Sequence, residues 1–399
     1  MEENYYKKAL DFDNLYKAMK TACKDVRWKD SVVGYEYNGL KNTYKLQQEL
    51  LSDKYKISKY QVFEIFEPKR RTIVATRIRD RQFQISLCKA GLYEDICEHF
   101  IRDNCACQKG KGLDDAISRF KVHLRKFYNQ HGQDGWVLKC DISKFFQSTP
   151  HSVAHQAIDK YVSDKEAANR VHQVIDSFDG DTGIGLGSQV SQLIEMTVLN
   201  DMDHYIKEQL HIKHYIRYMD DFILIHEDKE YLKYCRRCIE NKLAEMGFKL
   251  NDKTCLYPLK HGVVFLQWRF AYTDTGKVLM LMNNKRMSKQ RRKLKKLIAK
   301  EAVGELPKGT AAHSLQCWLS YSKRGNTYKQ REAMTAFFEE EMKKVHDNTE
   351  ALKKMALERA ARRFDEVEEV TSDLEAKVFY NIMMGTLADP SEEDNEDVQ

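Results

Sequence analysis

The 399-residue sequence predicts an α+β chain in which an antiparallel sheet carries acidic side chains between helical regions. Three observations lead to that class. The run from Ile212 to His226 places the pair Asp220-Asp221 between apolar stretches, Ile212, Tyr215 and Ile216 on one side and Phe222 to Ile225 on the other. That pattern reads as a hairpin with the acids at its tip. Residues 136 to 146 read as a buried strand carrying one acid, Asp141, and much of the remaining chain shows apolar spacing near the helical period.

Aspartates at a hairpin tip lose strand propensity and gain nothing in a core, so a pair held between apolar strands suggests an ion site. Magnesium, a hard cation that prefers one or two carboxylates plus substrate phosphates, is the natural guest. A tight Asp-Asp turn is the other reading of the pair taken alone. Asp141 lies 79 residues before Asp220 and joins the pair if the two strands lie side by side. Three carboxylates are enough for two Mg²⁺ ions and in-line nucleotidyl transfer.

Composition narrows the class. Hydrophobic residues make up 42% and charged residues 32%, ordinary for a soluble protein, and no apolar run reaches membrane-spanning length. The opening Met1-Glu2-Glu3-Asn4 lacks signal-peptide shape, so a cytosolic protein and no membrane partner are expected. The ten cysteines have no framework spacing, which argues for reduced thiols; Cys235 and Cys238 form a CxxC without a second ligand pair. Net charge is +6 but uneven: nine of the sixteen residues from Lys285 to Lys300 are Lys or Arg. Like charges at that density repel unless a polyanion is near, so nucleic acid is the expected partner.

Taken in order, residues 1 to 60 are expected to be helical, with Leu10, Leu15, Met19, Leu46, Leu50 and Leu51 as apolar stripes. Two alternating runs, interrupted by Pro68-Lys69-Arg70-Arg71, predict a hairpin at residues 63 to 75 with cations at its turn. Helix follows from Arg77, and then a basic glycine loop, Gln108 to Ala116, which lacks the Walker spacing but leaves the backbone open to a phosphate chain. A glycine-rich turn, Thr182 to Gln192, precedes a helical run from Leu193 to Leu210. Leu232, Cys235, Ile239 and Leu243 mark an amphipathic helix ending at Gly247. Val263 to Phe270 and Val278 to Leu281 read as two strands joined by Asp274-Thr275-Gly276. The remainder is read as helical, with Leu315, Trp318 and Leu319 as candidate core and a disordered acidic end after Pro390.

The ordered series of motifs resembles the reverse transcriptases, in particular the bacterial branch of group II intron, diversity-generating retroelement and defence-associated enzymes. The resemblance covers roughly residues 60 to 325. It implies a right-hand polymerase with an N-terminal helical region (1–60), fingers (61–135), an antiparallel-sheet palm (136–282), a helical thumb (283–335) and a C-terminal extension (336–399). Asp141 falls in the first catalytic motif and Tyr218-Met219-Asp220-Asp221 is the second, with Asp141, Ile142, Asp220 and Asp221 as the implied metal set. Two Mg²⁺ ions are implied, with Mn²⁺ able to substitute.

The resemblance further implies that Lys69, Arg71, Phe146, Gly187, Gln192 and Tyr218 face the incoming dNTP, Phe146 by clashing with a 2′-hydroxyl. Lys253 matches the lysine proposed as general acid to the departing pyrophosphate; a surface lysine is its competing reading, as a core ring is for Phe146. Lys109 and Lys111 in the basic glycine loop, Phe265, Leu266 and Trp268 of a primer-grip-like hairpin, and Lys289, Arg292 and Lys296 of the basic helix are the implied nucleic-acid contacts. The implied partners are a structured noncoding RNA template, an RNA–DNA duplex and dNTPs, with an oligomer or an accessory protein left open, in the bacterial cytoplasm. Antiphage defence is the expected role; Ser191-Gln192 and the glycine loop keep diversification as its rival, and an RNA-binding scaffold is the reading from another class.

Overall fold

A computed structural model describes residues 4–66, 70–302 and 304–366, the last eighteen of these, 349–366, as backbone only. Two compact units are present, Met1–Leu281 and Met282–Gln399.

The first unit opens with helices α1 (Tyr5–Ala9), α2 (Phe12–Cys23), α3 (Asp30–Tyr37) and α4 (Gly39–Leu51). Asp11 caps α2 by accepting from the Asn14 amide, and Leu15, Ala18 and Met19 form its buried stripe. That helix packs on α5 (Ile78–Leu87). Leu46 and Leu50 are buried as expected, whereas Leu51, one step further round α4, is exposed. Between them β1 (Gln61–Ile65) and β2 (Arg71–Ala75) pair antiparallel as the expected hairpin. Its turn cation Lys69 lies outside the described residues.

After the short α6 (Tyr93–Cys97) and the long α7 (Leu113–His131), a four-stranded sheet forms in the order β4-β5-β3-β6. Its strands are β3 (Trp136–Asp141), β4 (His214–Tyr218), β5 (Asp221–His226) and β6 (Cys255–Pro258), the last not foreseen from sequence. β3 and β5 are antiparallel with Trp136 opposite His226 and Asp141 opposite Asp221. Their buried residues, among them Val137, Leu138, Cys140 and Phe222 to Ile225, supply the central core. The intervening chain is helical: α8 (Phe145–Ser148), α9 (His151–Tyr161), α10 (Lys165–Asp176), α11 (Gln189–Val198) and α12 (Asn200–His204), followed after β5 by α13 (Lys229–Glu245). Helix α11 starts four residues before the sequence pattern suggested, because the Ser188 hydroxyl caps it by accepting from the Ser191 amide.

A second sheet joins β7 (Val263–Phe265), β8 (Trp268–Tyr272) and β9 (Val278–Met282). The single strand expected over residues 263 to 270 is therefore two. Leu266 and Gln267 both take positive φ, 48° and 70°, and reverse the chain between them, as a two-residue hairpin turn requires.

In the second unit α14 (Asn284–Ala302) buries Leu294 and Ile298 and leaves most of its cations exposed, while Arg286 is half-buried against Tyr321. It is followed by α15 (Thr310–Ser322), which buries Leu315 and Trp318, and by α16 (Tyr328–Glu366), a single helix that runs through position 335. The acidic end after Pro390 lies outside the described residues.

The element that holds the acidic hairpin in place is a buried ion pair. Arg217, at the end of β4, is 1% exposed and donates to both carboxylate oxygens of Asp203 on α12, at 2.7 and 2.5 Å. The Tyr215 hydroxyl adds a third bond to Asp203, at 2.6 Å. Two charges out of water are tolerated only when geometry and remaining bonds are satisfied. Removing one partner leaves the other charged and alone. Arg217→Met is expected to cost about 3–5 kcal/mol in urea denaturation, and Arg217→Met with Asp203→Leu less than the single change. An equal or greater loss in the double variant contradicts this assignment.

Candidate active site

Met219 and Asp220 are the two residues that join β4 to β5, with Tyr218 opposite Asp221. Met219 adopts φ of 58°, the left-handed region that hairpin turns demand and that a side chain resists. Arg217 offsets that strain by donating from Nη1 to the Met219 carbonyl at 3.1 Å. One buried guanidinium thus fixes both a helix and the turn that presents the acids.

The neighbouring backbone brings the third acid to the same end of the sheet. The Ile142 amide donates to the Asp220 carbonyl at 3.4 Å, and the Asn251 amide to the Asp141 carbonyl at 2.7 Å. Ile142 is itself 2% exposed, so only its backbone is available to a ligand. Asp141, Asp220 and Asp221 meet as the sequence predicted.

Burial dominates the electrostatics of the acid pair. Burial pushes the Asp220 carboxyl up, and Asp141 adds to it, while Arg71 on β2 and Arg217 oppose the shift. Burial also raises Asp221; Lys139 opposes it, and Asp141 and Asp220 reinforce it. Asp221 Oδ2 accepts from Lys139 Nζ at 3.2 Å, but its Oδ1 is buried with no hydrogen-bond partner. A buried carboxylate oxygen without a donor, beside two more carboxylates, fits a hard divalent cation.

Behind the turn, Glu195 on α11 is completely buried and is pushed up to about 8, chiefly by burial, with Asp220 adding to the rise and a bond to Thr149 opposing it. Thr149 Oγ1 lies 2.9 and 2.8 Å from its two oxygens and 3.0 Å from the Phe145 carbonyl. The hydroxyl has one proton for these three acceptors, so a protonated Glu195 satisfies the set.

A cavity of about 650 Å³ is lined by the β1–β2 hairpin and the chain just before it, Phe146, and the turn from Thr182 to Leu186; the three acids are not among its lining residues. Phe146 is half-buried at its edge, and its carbonyl accepts from the Ile184 amide at 2.7 Å. The Val74 amide donates to the Leu186 carbonyl at 2.8 Å. Gly187, at φ of 152°, sits where an added Cβ would lie 2.5 Å from the Val74 carbonyl oxygen. The close approach that requires this glycine is to β2, a backbone rather than a ligand.

The other expected contacts divide. Arg71, Gln192 and Lys253 are exposed and Tyr218 is half-buried; Lys253 is two residues beyond the Asn251 amide that holds Asp141. Lys109 and Lys111 are engaged within the protein, by Glu94 and by the Asn104 carbonyl respectively. Phe265 and Trp268 were expected at a nucleic-acid surface, and here the structure corrects the reading: both rings are fully buried. Alternation along β7 and β8 turns Val264 and Arg269 outward instead, with Leu266 half-buried in the turn. In the second unit, Lys289, Arg292 and Lys296 are exposed along α14. The parts played by Lys139, Glu195 and Asp203 had no counterpart in the sequence reading. Only Lys139 left a signal there: it stands two positions before Asp141, on the same face of a strand.

Because the folded-state value of Glu195 lies above its unfolded value, its contribution to stability is present at low pH and is lost as pH rises towards about 8. In metal-free buffer Glu195→Gln is expected to gain on wild type as pH rises from 5 to 8, by ~3 kcal/mol at pH 7 as an upper estimate. A stability difference that does not change with pH contradicts a protonated Glu195.

The family model described as reverse transcriptase (RNA-dependent DNA polymerase) matches residues 67–270, just over half of the chain. No curated protein matches it. Among solved structures, telomerase from Candida albicans, in complex with a fragment of telomeric RNA, aligns at 10% identity and a TM-score of 0.45, covering 77% of this chain and 65% of that one. Apo telomerase from Candida tropicalis aligns at 12% identity and 0.47, covering 72% and 62%. This chain therefore spans less than two thirds of either of those proteins. By the family match, and with its α+β fold and antiparallel sheets, the chain belongs to the reverse transcriptases.

Proposed function

We propose that this chain synthesises DNA on an RNA template from dNTPs, with Asp141, Asp220 and Asp221 holding two Mg²⁺ ions. The observation that carries the reading is the register that sets Asp141 opposite Asp221, with Asp221 Oδ1 buried and unpartnered. Reverse transcriptase domains use divalent metal ions; when bound, these activate a 3′-hydroxyl and stabilise the charge that develops on phosphorus. The chain's own residues do the rest. The β4–β5 turn and the end of β3 fix three carboxylates before any ligand arrives, so little reorganisation remains for the reaction. Arg71, whose charge already acts on Asp220, is suited to the triphosphate, and the Phe146 ring at the cavity edge to excluding a 2′-hydroxyl. Lys253 is the proposed proton donor to pyrophosphate, and the exposed cations of α14 are proposed to bind a phosphate backbone.

The proposed template is a dedicated, structured noncoding RNA, and the proposed setting is antiphage defence in the bacterial cytoplasm. A diversity-generating retroelement enzyme is the second reading, favoured by Ser191-Gln192 at the start of α11. Among the described residues no helix is long and apolar enough to cross a membrane.

On a primed RNA template with Mg²⁺, wild type is expected to incorporate dNTPs, and Asp220→Asn or Asp221→Asn to lose roughly a thousandfold or more in rate. Incorporation by either variant at the wild-type rate contradicts the site. In the same assay Phe146→Ala is expected to raise rNTP use relative to dNTP by roughly 10- to 100-fold. Unchanged discrimination leaves Phe146 as a packing residue.

A further inference from the structure

Lys139 sits where no sheet requires a cation. On β3 it occupies the same face as Asp141, two residues earlier, and its cross-strand partner is Ile223, so it reaches Asp221 along the diagonal of the ladder. Its ammonium makes two bonds: to Asp221 Oδ2 at 3.2 Å, and to the backbone carbonyl of Val264 on β7 at 2.9 Å. Both groups are partly screened from solvent, the Lys139 side chain at 23% and the Asp221 side chain at 25% exposure. The carboxylate is therefore divided, one oxygen held by the lysine and the other, Oδ1, buried without a donor.

A carboxylate free to rotate offers either oxygen, or both, to a cation. One whose Oδ2 is already bonded to an ammonium is restricted to a single oxygen and a single direction. The second bond extends this restraint to another sheet, because the strand whose carbonyl Lys139 holds is the first arm of the β7–β8 hairpin. Any movement of that hairpin pulls on the ammonium, and through it on the acid.

We propose that Lys139 is a positioning residue that reserves Asp221 Oδ1 for the divalent cation and ties the β7–β8 hairpin to the same carboxylate. This rests on the reading of the acids as a cation site. The ammonium is also a nearby positive charge that any dication must approach. It trades some cation affinity for a fixed carboxylate, and this sets the sign of the test.

The experiment uses the full chain in four forms: wild type, Lys139→Met, Lys139→Arg and Asp221→Asn, with the Lys139→Met/Asp221→Asn double variant as control. Mn²⁺ binding is read by electron paramagnetic resonance without nucleic acid, hydrogen exchange is read over residues 263 to 270, and single-turnover extension is read with primed RNA. Lys139→Met is expected to bind Mn²⁺ up to about tenfold more tightly, since one repelling charge is gone. It is also expected to exchange faster in the hairpin and to extend more slowly. Lys139→Arg restores all three readings, and in the Asp221→Asn background Lys139→Met changes Mn²⁺ affinity less than it does in wild type, because only the ammonium's direct repulsion of the dication remains there. A fold defect predicts the opposite pattern, with affinity and rate falling together and no rescue by arginine, and that result overturns the proposal. So does Mn²⁺ binding that is absent from wild type or unchanged in Lys139→Met. If the Mn²⁺ and exchange results hold but wild type makes no DNA, the polymerase reading fails and the assignment of Lys139 stands.

Discussion

The acidic turn depends on a charge pair that water cannot reach. Arg217 and Asp203 are both essentially unexposed, and the guanidinium spends two further donors on the carbonyls of Met219 and Met196. The same residue fixes the outer edge of the sheet, since its amide donates to the Asp103 carbonyl at 2.9 Å and its carbonyl accepts from the Cys105 amide at 3.0 Å. Strand β4 is thereby covered where an open edge would invite pairing with another chain. Asp103 is in turn held by Arg119, His123 and Lys207, whose bonds outweigh its burial and keep its carboxylate charged. Side-chain bonds to Asp103, the backbone bonds of Arg217 with Asp103 and Cys105, and the buried Arg217–Asp203 pair therefore connect α7 to the turn. Such networks contribute less to net stability than to the choice of one geometry over its neighbours.

At the turn itself the balance is reversed. Asp220 and Asp221 are raised by burial and by the neighbouring Asp141, one oxygen has no donor, and among the described residues Lys139, Arg71 and the already committed Arg217 supply the opposing positive charge. Left alone such a cluster opposes folding. A divalent cation would relieve it, which is the sense in which stability and function are coupled here. Glu195 contributes by staying neutral, because a fourth carboxylate charge beside the turn would add to the repulsion that Asp220 already feels.

The parts legible in the sequence were those set by period and by punctuation. The hairpin around Asp220-Asp221, the strand ending at Asp141, the basic helix and the cation-bearing hairpin at β1–β2 all follow from alternation or helical spacing, and each is present. The residue pattern over 263 to 270 misled because a two-residue turn built from Leu266 and Gln267 carries neither glycine nor asparagine, so the reversal was implied only by the resemblance to a primer-grip hairpin. Phe265 and Trp268 misled for a related reason: an aromatic in an alternating run faces the core or a ligand equally well, and only the packing decides. Gly187 was expected to face the incoming dNTP, whereas the group that approaches it is the backbone of β2, 113 residues earlier in sequence than the glycine it selects. The partners of Arg217, Lys139 and Glu195 were illegible because each is fixed by a tertiary neighbour, not by local pattern.

The central claim is that these three acids serve DNA synthesis on RNA. It is tested most directly by purifying wild type and an Asp220→Ala/Asp221→Ala variant from cells carrying the native flanking DNA and sequencing all nucleic acid bound to each. The account predicts that both carry the same discrete RNA and that wild type alone carries DNA complementary to it. Complementary DNA on both proteins, or on neither under conditions that include phage infection, contradicts it.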